Sequence, residues 1–329
     1  MTAKKRPLPP VVRIEPASAC NLKCSHCPTG VFEMARTIMK PEVFERCLEE
    51  VKKHIPPLRV CSLYQGGEPF LNKHFMAMIP RVKALGFPLV KTVSNGMLIK
   101  PEMCDDIVTS GLDELEISMD GHSPEENDRV RINSRFEHLN VILHKLVEAN
   151  RRRGEKLKMV ISSTQFMSLD NLKIDEPAGA PAYLRNAFAD IIEDIHFKPT
   201  WARIWPSALP AEGYDLLHDD RPHVPPSHCD ILDDMLNIRA DGRVVACCYD
   251  LTSTTNFGNI MELSIQEIWD GLPSVSFREG YESGNFPELC QSCMVVTGPQ
   301  YLLHKDGDRA PVINRVTDLE RRDSPAEEW

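Results

Sequence analysis

The sequence predicts an α/β protein: a partial, open (β/α)6 barrel followed by a smaller second module. Three observations carry this. Short apolar strands alternate with amphipathic helices, as a parallel sheet with crossover helices requires. The polar and cysteine-bearing motifs fall where those strands end, the end at which such barrels place their chemistry. After Pro199 the alternation stops, and a proline-rich stretch leads into a second cysteine-bearing segment.

The elements follow in order. Val11 to Glu15 reads as the first strand, with a cysteine loop directly behind it. Pro41 to His54 has helical spacing (Val43, Phe44, Cys47, Leu48, Val51) and proline at its start. Arg59 to Tyr64 is the second strand and His74 to Leu85 the second helix. Pro88 to Val93 is a third strand ending in Ser94-Asn95-Gly96, and Pro101 to Ser110 is helical. Leu112 to Met119 alternates as a strand and ends in Asp120-Gly121. Phe136 to Asn150 is a long amphipathic helix, Leu157 to Thr164 a strand, Ala182 to Ile192 a helix and Ile195 to Pro199 the sixth strand. Six such units are too few for the eightfold barrel, so a partial one is expected. The expected division is a barrel over 1–199, a linker or wrapping loop over 200–227, a cysteine module over 228–300 and a charged, loose tail over 301–329.

Bulk properties exclude several classes. The formal charge is -10, which argues against a nucleic-acid partner. The one basic run, Arg151 to Arg153, falls where a helix should end, a place the helix dipole favours. No apolar run reaches the roughly 20 residues a bilayer demands. The N-terminus carries charge without an apolar segment behind it, so no secretory signal is expected and the chain is read as cytoplasmic. Eleven cysteines in that compartment point to metal binding or catalysis, since disulfides are rare there.

Cys20, Cys24 and Cys27 form a C-x3-C-x2-C triplet in one loop. Bunched thiolates select an iron–sulfur cluster or zinc. Structural zinc wants a fourth protein ligand, and His26, lying between two cysteines, is poorly set to be one. Three ligands on a four-iron cube leave one iron open. The triplet behind a first strand strongly resembles the signature of the radical S-adenosylmethionine (SAM) superfamily, whose barrel is a partial TIM type. The later strand ends agree. Gly66-Gly67-Glu68-Pro69 resembles that family's GGEP motif, expected near the SAM ammonium, with glycines allowing close backbone approach. By resemblance, Ser94 and Asn95 lie near the SAM ribose or carboxylate, Ser118 and Asp120 also lie near SAM, and Arg131 pairs with its carboxylate. His26 fills the slot where an aromatic residue often stacks near adenine.

The second module holds Cys229, the run Asp241-Gly242-Arg243-Val244-Val245-Ala246-Cys247-Cys248, and the pair Cys290 and Cys293. It resembles the SPASM/twitch extension of the same superfamily. Asp241-Gly242 is a hairpin turn that returns Cys247 toward Cys229. Four cysteines from three segments suit one fully ligated auxiliary [4Fe–4S] cluster, and zinc satisfies the same geometry. Either Cys247 or Cys248 can ligate, because strand neighbours point oppositely; the spacing favours Cys247. Cys248 is then inert, an alternative ligand, or a thiol that returns a hydrogen atom. Cys47, Cys61 and Cys104 fall at core positions and read as buried thiols.

The resemblance implies two [4Fe–4S] clusters and SAM. In the family, SAM chelates the open iron, one electron cleaves it, and the 5′-deoxyadenosyl radical abstracts a substrate hydrogen. The expected reaction is dehydrogenation of a small polyol or amino-sugar-like substrate, with the auxiliary cluster oxidising the carbon radical. The three-plus-four cysteine count resembles dehydrogenases of the family. Alternatives are a radical epimerase using Cys248, a peptide maturase, and a non-catalytic electron carrier. A flavodoxin or ferredoxin is the implied reductant.

Overall fold

The computed structural model describes residues 6–168, 177, 179–210, 215–219, 221–304 and 313–315, apart from 56 and 155. Six strands lie side by side in chain order, each parallel to the next: β1 (Val11–Ile14), β2 (Val60–Ser62), β3 (Leu89–Ser94), β4 (Glu114–Ser118), β5 (Lys158–Gln165) and β6 (Ile195–Trp201). This is the α/β partial barrel that the alternation predicts.

The helices follow the apolar spacing. α1 (Pro41–His54) starts on proline, carries Glu42 in its first turn and Lys52, Lys53 and His54 in its last, as the helix dipole favours. It buries Val43, Phe44, Cys47, Leu48 and Val51 against the sheet. α2 (Phe75–Lys83) follows β2, and α3 (Cys104–Thr109) follows β3 after a 3-10 turn. A further helix, α4 (Pro124–Val130), was absent from the sequence reading, although Ser123-Pro124-Glu125-Glu126 is a start signal. The Ser123 side chain accepts from the Glu126 amide. α5 (Phe136–Arg153) ends on Gly154 at φ +96°, with Arg151 to Arg153 in its last turn. Only the first half of the stretch from Ala182 to Ile192 is α-helical; it becomes a 3-10 helix from Ala189.

The second module does not hang from the barrel as a separate body. Its strand β7 (Met235–Ile238) pairs in parallel with the free edge of β1, Val11 against Met235 through Ile14 against Ile238. β8 (Arg243–Val245) and β9 (Gly258–Asn259) then add antiparallel, giving one nine-stranded sheet. Leu236 and Ile238 are fully buried and belong to the barrel's own core, together with Ile265 and Trp269 of α6 (Ile265–Trp269). Each such side chain contributes about 1.5–3 kcal/mol by leaving water. Glu50 of α1 ties the halves with a polar contact, accepting from the Ile265 amide at 2.9 Å.

The stretch read as a linker is also structured. Trp201, Ala202, Ile204 and Ala208 are buried, and short strands at Ala208–Pro210 and Asp215–His218 pair with Ile313–Arg315 and Gln300–His304. Pro206 precedes and Pro210 ends the first of these strands, whereas Pro222, Pro225 and Pro226 fall in 221–229, which has no helix or strand and is largely exposed. Most of the tail after His304, with Trp329, lies outside the described residues.

Candidate active site between two cysteine sets

The loop after β1 is shaped by residues distant in sequence. Lys23 and Cys24 form a short antiparallel ribbon with Ile132 and Arg131, which carries Arg131 to the cysteines. A Cβ on Gly67 would lie 2.2 Å from the Ala17 carbonyl oxygen and 2.4 Å from that of Ala19, so only glycine permits this packing. Glu68 then donates its amide to the Ala19 carbonyl at 2.8 Å. The Asn95 side chain donates to Asn21 Oδ1 at 2.9 Å and to Cys20 Sγ at 3.7 Å. Gly30 presses on the loop from the other side, where a Cβ would meet the Cys24 backbone at 2.4 Å.

So held, Cys20, Cys24 and Cys27 line one cavity of about 530 Å³. His26, Gly66, Gly67, Glu68, Ser94, Asn95, Ser118 and Arg131 line the same cavity. Pro69 opens the 3-10 turn behind Glu68 and is buried. Burial raises all three thiols, Cys24 to about 12.

Two acidic residues do different work here. Glu68 is buried and raised by that burial. Its oxygens accept from Ser94 Oγ at 2.9 Å, the Asn95 amide at 2.8 Å and the Phe70 amide at 3.1 Å. Its carboxylate thus fastens β2 to β3 rather than facing the cavity unengaged. Asp120 is also buried, which alone would raise its carboxyl. Arg131, with Nη1 2.7 Å away, and His26, with Nε2 3.3 Å away, outweigh that and hold it well below the usual carboxylate range. The Thr164 amide donates to its other oxygen at 3.1 Å, and its own amide donates to Asn127 Oδ1 at 3.0 Å. Arg131 therefore already has an intramolecular counter-ion. Its Nε and His26 Nδ1 are buried without a protein partner, which leaves one N–H donor and one ring nitrogen unengaged at the cavity wall. Ser118 Oγ accepts from Ser162 Oγ at 3.4 Å.

The second cysteine set lines a separate, small apolar pocket holding Cys229, Cys247, Cys290 and Cys293. Cys248 is not part of it; its side chain lines the large cavity instead. The strand ends at Val245, so strand alternation does not separate the pair as expected. Cys248 lies in a turn closed by the Asp250 amide donating to the Cys247 carbonyl at 3.2 Å, and the two thiols line different spaces. Pro206 and Tyr249 line both, and Trp205 packs edge-on against Tyr249 with ring centres 5.8 Å apart. Burial raises Cys290 to about 12 and Cys247 well above its usual range. Tyr281 is buried beside these thiols, and its hydroxyl has no protein partner.

Both sets fit the iron–sulfur groups inferred for them. The first offers three thiols from one loop, with Cys248 of the second module on the same cavity, and an orphaned Arg131 Nε for a polar co-substrate. The second offers four thiols in an apolar shell and one orphaned hydroxyl suited to a sulfur acceptor. Sequence reasoning missed Arg13, Tyr64, Gln65, Glu116, Lys198 and Trp205, all on the large cavity. Arg13 had a signal: a charge inside a short strand whose neighbours Val12 and Ile14 are apolar.

Residues 14–162 match the radical SAM superfamily, and residues 229–294 match an iron–sulfur cluster-binding domain of the SPASM type. The chain belongs to the radical SAM superfamily, with a SPASM domain behind its barrel. That family carries a [4Fe–4S] cluster and SAM, and the SPASM domain adds auxiliary iron–sulfur binding. The chain is 33% identical over 107 residues to the tungsten-containing aldehyde ferredoxin oxidoreductase cofactor-modifying protein of Pyrococcus furiosus, covering 32% of this chain and 30% of the relative. It is 25% identical over 200 residues to mycofactocin maturase MftC of Mycobacterium tuberculosis, covering 58% and 46%. These matches span less than half the length of either relative. Among solved structures, BtrN in complex with AdoMet and 2-DOIA superposes with TM-score 0.54 at 16% identity, covering 88% of this chain and 94% of that one. SuiB of Streptococcus suis bound to S-adenosylmethionine gives 0.54 at 15%, covering 89% and 72%. These likenesses share the fold. No helix among the described residues is long and apolar enough to cross a membrane.

Proposed function

We propose that the chain dehydrogenates a small, polyol-like substrate by radical chemistry, with Cys20, Cys24 and Cys27 holding the SAM-binding cluster. In this reading Cys229, Cys247, Cys290 and Cys293 hold one auxiliary cluster. The barrel is assigned to 1–199, the auxiliary module to 228–300 and the tail to 301–329, with 200–227 as the connecting wall. When bound, SAM and its cluster supply a hydrogen-abstracting radical, and the auxiliary cluster supplies an electron acceptor.

The chain's own residues bind and orient. Arg131, steadied by Asp120, offers its free Nε to the SAM carboxylate. His26 lies against Phe166 with ring centres 5.3 Å apart and is the aromatic candidate beside adenine. Asn95, Ser94 and Ser118 provide polar contacts along the strand ends, and Gly66, Gly67 and Pro69 keep the backbone close. Trp201, Trp205 and Tyr249 wall the cavity and limit water around reactive species.

One observation carries the redox assignment: Cys247 and Cys248 are adjacent, one on the four-cysteine pocket and one on the reaction cavity. A single residue's width therefore separates substrate space from the proposed acceptor. The same observation favours a second reading, epimerisation. Burial raises the Cys248 thiol, against a smaller lowering by Arg13, and a protonated thiol is the form that can return a hydrogen atom. A flavodoxin or ferredoxin in the cytoplasm would supply electrons.

The test uses anaerobic, reduced protein. SAM should yield 5′-deoxyadenosine and methionine; protein that leaves SAM intact refutes the enzymatic reading. Turnover by Cys248→Ala then separates the two reactions. Dehydrogenation survives the change with no solvent deuterium in the product. Loss of turnover, with deuterium at the product carbon of the unmutated enzyme, makes the reaction epimerisation.

A further inference from the structure

We propose that Arg13 anchors a carboxylate of the substrate and that Gln65 accepts one of its hydroxyls, so that the polyol-like substrate also carries an acid group. The proposal rests on the reading of the large cavity as substrate space.

Arg13 sits on β1, is 6% exposed, and lines the cavity together with Tyr64, Gln65 and Cys248. Its guanidinium lies over the Tyr64 ring, 4.4 Å from the centroid, and Nη1 donates to the Tyr64 carbonyl at 3.2 Å. These contacts fix the plane of the fork. Nε is buried and has no partner.

Three other cations have acidic partners. Arg131 meets Asp120 at 2.7 Å, Arg239 meets Glu15 at 3.1 Å, and Lys198 meets Glu116 at 3.3 Å. Among the described residues no carboxylate pairs with Arg13. A buried charge without a counter-charge is costly, and a bound anion removes the cost. The planar fork suits a carboxylate held by two parallel hydrogen bonds. A phosphate dianion fits less well, because the nearby Lys198 is already engaged and Glu116 lines the same cavity.

Gln65 complements this. Its Nε2 donates to the Cys247 carbonyl at 3.4 Å, which fixes the amide, and its Oε1 is buried without a partner. An oriented acceptor beside a cation receives a hydroxyl next to a carboxylate.

The experiment is equilibrium dialysis of the iron-loaded protein with radiolabelled glycolate, its neutral isostere glycolamide, and inorganic phosphate. Glycolate should bind about tenfold better than glycolamide or phosphate, the size of a charge-assisted pair. Arg13→Gln should erase that preference, and Arg13→Lys, which keeps the charge, should retain part of it. Equal binding of glycolate and glycolamide by the unmutated protein overturns the proposal even if Arg13→Gln does not fold. A preference for phosphate overturns the carboxylate assignment, and a glycolate preference that persists in a folded Arg13→Gln overturns the role of Arg13. SAM cleavage by the unmutated protein is followed in parallel. Protein that cleaves SAM yet ignores the anion defeats this inference alone, whereas protein that never cleaves SAM defeats the broader reading.

Discussion

At the scale of single residues, Asp120 holds three segments together: the cysteine loop through His26, the ribbon through Arg131, and β5 through the Thr164 amide. Asp120→Asn keeps the shape and removes the charge, leaving Arg131 buried without its counter-ion. The expected cost is about 3–5 kcal/mol, read by denaturant unfolding. The sign of the pH effect follows from its depressed carboxyl. The pair stabilises fully above the ordinary carboxylate value of about 4 and loses that contribution as pH falls toward the folded value. Stability of the unmutated protein should therefore fall more steeply below about pH 4 than that of Asp120→Asn. Gly67→Ala drives a Cβ into two backbone carbonyls, which cannot rotate away. It should cost about 1–3 kcal/mol or more and strip iron from the first cysteine set, measured by metal analysis. Tyr281→Phe deletes the orphaned hydroxyl at the second set. It should lower the auxiliary cluster's midpoint potential with little change in melting temperature; an unchanged potential means the hydroxyl does not reach a sulfur.

At the scale of elements, the six parallel strands were legible because each repeats the same local pattern. An apolar run ends in a polar motif, and an amphipathic helix follows. The cysteine triplet was legible for the same reason, its spacing being local. The pairing of β7 with β1 was not legible, since it joins Val11 to Met235 across more than half the chain and no local signal specifies a parallel edge. Residues 200–227 were legible in part: 221–227 is largely exposed and without helix or strand, as its prolines suggest, whereas Trp201 and Ile204 are buried in a stretch whose composition does not show it. Asp120 and Glu68 were legible as strand-end acids, but their partners decide their work, and partners come from the fold. The β7 pairing has its own consequence. Leu236→Ala should cost about 2–5 kcal/mol and destabilise the barrel as much as the module, because both share one core. Unfolding followed by tryptophan fluorescence and by far-UV dichroism should coincide in one transition. Two separated transitions would show that the module folds apart from the barrel.

At the scale of the whole molecule, one sheet carries two thiol sets on either side of a thin wall. The wall is made by Cys247, Cys248, Tyr249 and Pro206, residues that line one or both spaces. This arrangement gives substrate access to one set only. The other is enclosed by apolar side chains, as suits a group that exchanges electrons without meeting substrate. The whole account depends on these being two distinct iron sites, one open and one closed. The most direct measurement is iron content in anaerobically purified protein, compared with variants lacking each set. Two [4Fe–4S] clusters give about eight irons per chain. About four should remain when Cys20, Cys24 and Cys27 are replaced by Ala, and about four when Cys229, Cys247, Cys290 and Cys293 are replaced. Zinc at either set, or a Cys248→Ala variant that loses the auxiliary iron while Cys247→Ala keeps it, would contradict the account.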